Sequence, residues 1–344
     1  EDGCPHILFR VNSTLNLQMR KLSCKILIFF LTLFAFTAKG QNDVLLTQDW
    51  AVPTFYNPAA TGNTDYLRIR GGTRLQWVGI ENAPKSFLAA ADMPVKIGKK
   101  RIGVGADFSD ETLGLFSNSL INIQASYKLK FLKGTLSIGV QGGYYTSKFA
   151  GSKVVLPDGD DYHQPTDEAI PTRDVTGNTF DLSAGVLYTH KYFSIGISAQ
   201  HLLDPTLRLG NEQGEESETA LYETRLPRML YLTADGNIPI KNTLFELQPS
   251  LLAAYDFKDY SLQGALRTRY KKFISFGVGY RFREAVSVMI GAEIKNFFVS
   301  YSYGYPLSAL GKASSGTHEV LIGYQLKLDF SGVNKHKHRS IRLM

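Results

Sequence analysis

Cysteine is almost missing from this chain of 344 residues: there are two, Cys4 and Cys24, both near its start. A pair so placed cannot form a framework of disulfides. Charge is thin as well, at 20% of residues, with 38 Lys and Arg against 31 Asp and Glu. The bases are scattered rather than gathered on one face, so no nucleic-acid partner is expected. Beyond residue 40 there is no apolar run of the roughly 20 residues that a membrane-spanning helix needs. A mature chain of this kind can live in a membrane only as a closed barrel. What is plentiful is aromatic residues and glycine, with 18 Tyr, 21 Phe and 31 Gly. That is the composition of a β-rich protein, often one in a membrane.

The first forty residues read as processing signals. Met19 is followed by Arg20, Lys21 and Lys25, then by the apolar run 26–36 and by Ala38-Lys39-Gly40. A basic head, a short apolar stretch and a small-x-small site form a cleavable export signal over 19–40. The run is too short for a membrane anchor. Cys24 lies before the apolar run, not after it, which argues against a lipoprotein signal. Residues 1–18 precede the start methionine and are expected to be an upstream artefact. The mature protein is expected to begin at Gln41.

From residue 66 the apolar pattern has period two. Leu67, Ile69, Gly71, Thr73, Leu75 and Trp77 share one face, and Arg68, Arg70, Gly72, Arg74 and Gln76 the other. Successive side chains of a strand point to opposite faces. One such strand suits a soluble sandwich or a membrane barrel equally. Fourteen of them are expected, at 66–77, 85–94, 101–109, 118–130, 135–147, 178–188, 192–202, 228–238, 244–255, 260–270, 273–282, 285–294, 297–306 and 318–330. Their lengths sit near the ~9–11 residues of a tilted membrane strand. Connections sort by length. The long ones, 110–117, 148–177, 203–227 and 307–317, all fall on one side, while the other side has short turns. Outer-membrane barrels have this asymmetry, with short turns in the periplasm. Aromatics near strand ends, among them Phe87, Phe108, Tyr144, Tyr188, Tyr270 and Phe297, suit girdles at the membrane interfaces. The expected fold is therefore all-β: a transmembrane antiparallel up-and-down barrel of about 14 strands over 66–330. A short plug-like or periplasmic lead-in occupies 41–65, and a basic periplasmic tail 331–344. The tail carries Lys335, Lys337, Arg339 and Arg342, which could grip an acidic periplasmic partner or do nothing.

The segment Tyr56-Asn57-Pro58-Ala59-Ala60-Thr61-Gly62 runs into Arg74-Leu75-Gln76-Trp77-Val78-Gly79-Ile80 and Ala83-Pro84. Gly103-Val104-Gly105, Asp110 and Gly114 follow, then Ser300-Tyr301-Ser302-Tyr303 and His318-Glu319 near the end. Over 41–330 this resembles the PorP/SprF family of outer-membrane proteins of type IX secretion. The resemblance implies an outer-membrane barrel without enzymatic activity. It also implies partners: a secreted surface protein with a type-B C-terminal secretion domain, and periplasmic ring or motor lipoproteins. Tyr56, Asn57, Pro58, Arg74, Gln76 and Trp77 are the motif residues expected at the plug. Read on their own, Asn57-Pro58 is a turn signal, and Arg74 is either a pin for a plug or loop or one more solvated lumen charge.

Signs of chemistry are weak. The long gaps are acidic, with Asp158, Asp160, Asp161 and Tyr162 in one and Glu212, Glu215 and Glu216 in the other. These residues are the expected partner-contacting rim. Asp158-Gly159-Asp160-Asp161 could begin a calcium loop, but no twelve-residue loop ending in Glu follows. His163, His190, His201 and His318 fall on different hairpins with no serine motif beside them, so no catalytic triad is expected. No cofactor or metal is implied. Ten lumen-facing charges are expected: the bases Arg68, Arg70, Arg74, Lys128, Arg267, Arg269, Arg281 and Lys327 and the acids Glu246 and Glu293. That excess of bases fits an anion-selective pore, or a lumen in which acidic plug or loop residues pair with them. The resemblance favours the plugged form. A transport channel for a small anionic or hydrophobic solute is the alternative.

Overall fold

The computed structural model describes residues 43–98, 100–154, 173–210 and 222–328. The leader, the tail, Phe330 and the rim residues Asp158, Asp160, Asp161, Tyr162, Glu212, Glu215 and Glu216 lie outside the described residues.

Among the described residues seventeen strands follow one another: β1 Tyr66–Leu75, β2 Lys85–Ile97, β3 Lys100–Leu113, β4 Phe116–Phe131, β5 Gly134–Ala150, β6 Asp174–Thr189, β7 Phe193–Gln200, β8 Thr206–Leu209, β9 Tyr222–Arg225, β10 Met229–Gly236, β11 Ile238–Pro239, β12 Phe245–Tyr255, β13 Tyr260–Tyr270, β14 Ile274–Arg281, β15 Ala285–Ile294, β16 Phe297–Pro306 and β17 Thr317–Lys327. Each wall strand pairs antiparallel with its sequence neighbours. β1 closes on β17, and β10 pairs with both β7 and β12. The result is a closed barrel of fourteen staves, because β10 and the two-residue β11 form one. Their break has a local cause. The β10–β12 ladder stops at Asp235↔Ser250 and resumes at Ile238↔Leu247, skipping Pro249, which has no N–H to give.

The burial pattern is that of a membrane barrel. Along β4, Ile121 and Ile123 are exposed while the alternate residues Asn122, Gln124 and Ser126 are buried. Along β6, Phe180 and Leu182 face out while Asp181 and Ser183 face in. An apolar outside and a polar inside suit a bilayer, not water. Outward aromatics pair in two belts. Phe87–Phe108, Tyr144–Phe180 and Tyr260–Phe282 lie toward the end with the long connections. Phe131–Tyr188, Phe245–Tyr270 and Phe297–Tyr324 lie toward the end with the short turns.

All fourteen expected strands are present, with shifted ends. The connection expected over 110–117 is shorter than its reading. β3 and β4 pair up to Leu113↔Phe116, leaving two residues, one of them Gly114 at φ +61°. β5 and β6 likewise stay paired to Ala150↔Asp174. One side of the wall is therefore tall, with 16, 17 and 16 residues in β4, β5 and β6, while β14 to β16 have 8, 10 and 10. Gap 203–227 also contains structure. Leu207 and Leu209 alternate with polar residues in β8, and their buried side chains bring the β8–β9 hairpin against β6 through a Thr176↔Gly210 bridge.

Candidate functional site: the lumen and the segment that fills it

Residues 43–65 run through the barrel from the long-loop mouth to the short-turn rim. The first described residue, Asp43, is at the long-loop mouth, opposite the end at which β1 begins. Three single-turn 3-10 segments shape it, at Asp49–Ala51, Pro53–Phe55 and Pro58–Ala60. Pro53 and Pro58 open their turns, where a missing N–H costs nothing. Asn57 caps the last one by accepting from Ala59 N at 2.9 Å.

At the long-loop mouth, Asp43 meets His201 Nε2 at 3.1 Å and accepts from the Tyr231 hydroxyl at 2.6 Å. His201 Nδ1 lies 3.0 Å from Asp181. A ring with a carboxylate on each nitrogen is best satisfied as imidazolium, donating from both. Burial opposes that charge, but Asp43 and Asp181 outweigh it and raise His201 to about 10. Burial likewise pushes Asp43 up, and His201 and Tyr231 overcome it, leaving Asp43 below the usual carboxylate value. The two carboxylates sit on opposite sides of the ring and do not converge. Among the described residues no His, Cys, Asp and Glu cluster could hold a metal ion.

Just below is a clamp of buried charge. Glu319 of β17 accepts from the backbone N–H groups of Thr47 and Gln48, both at 2.9 Å, and from Arg74 of β1 at 3.2 Å. Arg74 also donates to Thr47 Oγ1 and to Gln76 Oε1. Arg281 of β14 donates to Leu45 O at 2.7 Å, and Gln263 of β13 to Leu46 O at 2.9 Å and Asp49 Oδ1 at 3.0 Å. Leu46 N donates to the Tyr56 hydroxyl at 2.9 Å, folding the lead-in back on itself, and the Tyr56 ring packs edge-on against Tyr231. Midway, Trp50 lies 3.2 Å from the Arg267 guanidinium and edge-on to Phe298.

Toward the short-turn rim the wall is backbone. Asn57 donates to Val186 O and Ile197 O at 3.1 and 3.4 Å. A Cβ at Gly185 or Gly196 would strike the Asn57 amide, one at Gly139 would strike Pro58 and Ala59, and one at Gly103 would strike Thr61. Close backbone approach of this kind is open only to glycine. Thr61 Oγ1 donates to Gln124 at 2.6 Å, Gly62 N donates to Asp92 at 2.7 Å, and Asp92 pairs with Arg68 at 2.7 Å.

The motif residues thus separate. Tyr56, Asn57 and Pro58 are buried in the lead-in, Arg74 reaches it from β1, Gln76 just beyond β1 accepts from Arg74, and Trp77 stays at the long-loop rim with φ +52°. The expected excess of lumen bases is corrected by inward acids that the strand pattern did not single out, namely Asp92, Asp107, Asp181, Asp235 and Glu319. Arg269 pairs with Glu246 and Glu293, completing the balance within the wall. Glu319 had one available signal, its place in the closing motif. Arg281 had its inward place in the strand alternation, while Gln263 and the Asp43–His201–Asp181 chain had no signal.

These features define an outer-membrane β-barrel whose lumen is occupied by its own N-terminal segment. The chain belongs to the family described as type IX secretion system membrane protein PorP/SprF, whose profile matches residues 38–324. Its fold is similar to solved outer-membrane barrels at low identity. One is the Ralstonia pickettii toluene transporter TbuX, with TM-score 0.47, 10% identity, 80% of this chain and 93% of that one covered. Others are Acinetobacter baumannii Omp33, at 0.42, 5%, 76% and 99%, and the translocator domain of Neisseria meningitidis autotransporter NalP, at 0.38, 12%, 76% and 88%. No curated protein matches the chain in sequence. The protein is an outer-membrane protein, and its family is one of type IX secretion membrane proteins rather than an enzyme class.

Proposed function

We propose that this barrel anchors or presents a secreted surface protein with a C-terminal secretion domain at its long-loop mouth, outside the cell. Its short-turn rim then faces the periplasmic ring or motor lipoproteins of the type IX system. The observation that carries the reading is the filled lumen. The lead-in is fastened at both mouths and along its length, and conduction would require breaking the buried Arg74–Glu319 clamp. Beside it remain a cavity of about 220 Å³ lined by Asn63, Asp235 and Arg267 and one of about 70 Å³ lined by Asp43 and Asn122. A scaffold of this kind works through its outer surfaces. The acidic residues Asp158, Asp160, Asp161, Glu212, Glu215 and Glu216, with Tyr162, are the proposed contact set on the surface side.

Two measurements on the same preparation test this. Native outer-membrane complexes are recovered by a tag on the barrel, and the purified barrel is inserted in a planar bilayer. A surface protein that co-purifies, and is lost when 158–162 and 212–216 are replaced by Gly and Ser, supports anchoring. Steady ohmic conductance of the intact barrel overturns it in favour of a solute channel.

A further inference from the structure

The outer face of the barrel is not uniformly covered. Where β15, β16, β17, β1 and β2 lie side by side, register sets two rows of outward side chains. The upper row is Ala292, Val299, Ile322, Gly71 and Ala89, and the lower is Ile294, Phe297, Tyr324, Ile69 and Ala91. Ala292, Gly71 and Ala89 are small, so the upper row is floored by backbone and walled below by Phe297 and Tyr324. The hollow measures about 550 Å³ and is almost wholly apolar. Its size is within the ~300–1,000 Å³ of ligand clefts, and it opens to the bilayer in the leaflet on the short-turn side.

Charge stands directly beneath it. Lys295 is the first residue of the two-residue turn joining Ile294 to Phe297, and it is exposed. Around the same rim, lysine ammonium groups lie over girdle rings: Lys100 on Tyr127 at 5.3 Å, Lys191 on Tyr192 at 5.2 Å and Lys271 on Tyr270 at 5.4 Å. Aromatic belts mark the headgroup level, and lysines beside them reach phosphate. We propose that this hollow is a site for one anionic glycerophospholipid of the periplasmic leaflet, with an acyl chain lying in the hollow and the headgroup phosphate on Lys295. Apolar burial holds the chain, and the cation selects the headgroup.

The test uses the full-length mature barrel in nanodiscs of mixed phosphatidylglycerol and phosphatidylethanolamine, released into native mass spectrometry. The intact barrel should retain one lipid, enriched in phosphatidylglycerol. Ala89→Phe and Gly71→Phe fill the hollow and should abolish retention. Gly142→Phe, on the outward face of β5 where a Cβ meets nothing within 4 Å, is the matched control and should retain it. Lys295→Asn keeps the left-handed turn at φ +56° and should reduce the preference for phosphatidylglycerol about fivefold while the chain stays bound. Heat-modifiable gel mobility checks that every variant is folded. No retained lipid on the intact barrel, or equal retention by Ala89→Phe and Gly142→Phe, overturns the site. An unchanged headgroup preference in Lys295→Asn overturns the assignment of Lys295. Loss of a co-purifying protein in place of a lipid overturns the lipid as occupant.

Discussion

In the half of the lumen under the long loops, the lead-in is held by charge and hydrogen bonds from side chains of β1, β13, β14 and β17. In the half under the short turns it is held by shape, pressed onto glycines of β3, β5, β6 and β7. The charged half can lose its grip when a single partner is removed or a proton moves. The glycine half is held mainly by close contact, so added atoms disturb it most. A segment fastened by two unlike mechanisms is not released by one perturbation, which suits a static plug.

The largest effect expected from breaking this contrast is at Glu319. Glu319→Ala strips partners from Arg74 and from two backbone N–H groups in a buried site. It should cost about 3–5 kcal/mol, read as a fall in the unfolding midpoint in detergent. Replacing Arg74 and Glu319 together with Met should recover the part of the loss due to the unpaired guanidinium, while the part due to the Thr47 and Gln48 N–H groups remains. Next comes the glycine half, where Gly139→Leu should cost about 1–3 kcal/mol or more, since the colliding atoms are backbone. Gly142→Leu, on the other face of the same strand, should leave the midpoint unchanged. If the two leucine variants behave alike, packing is not what holds that half. Asn57→Ala should cost about 1–2 kcal/mol through the lost cap and its two wall contacts.

The pH response sharpens the comparison further. His201 is raised to about 10, so its contribution is complete below its ordinary 6.5 and fades as pH climbs through 10. Asp43 is lowered, so its contribution is present above its ordinary value of 3.8 and fades as pH falls below it. Hydrogen exchange of residues 43–48, corrected for intrinsic rate, should quicken above pH 10 while exchange at residues 57–62 does not. Equal quickening at both would end the distinction between the halves. The smallest effect belongs to the rim hairpin. Arg208→Ala, which removes an exposed pair with Glu223, should change stability by about 0–1 kcal/mol.

Much of the wall could be read along the chain. Leu67 to Trp77 alternates strictly, and a one-residue slip would turn Arg68 and Arg74 into the lipid, so β1 had one acceptable register. Strand ends were less legible. β3 to β6 continue past the outer girdle as polar alternation, Asp110, Ser117, Thr146 and Asn178, which looks like loop when membrane length is the guide. The hairpin β8–β9 escaped for a related reason: four-residue strands give too short a pattern, and Leu207 and Leu209 acquire a core only by meeting β6.

The site divides in the same way. Asn57-Pro58 announced a turn because cap and proline chemistry are local. That its amide would rest on Gly185 and Gly196 was not announced, since those glycines look like any others in a glycine-rich strand.

The sequence by itself determined the class: no thiol chemistry, no spanning helix, fourteen alternating strands, and loops sorted by length onto one side. Those properties are local, carried by period two and by turn residues. Only the tertiary structure decided where the lead-in goes and which charges meet. Arg74 and Glu319 are 245 residues apart, and Asp43 and His201 are 158 apart. They face each other because β1 closes on β17 and the lead-in fills the space inside. Closure brings inward side chains from distant strands to one axis, and no spacing along the chain encodes that meeting.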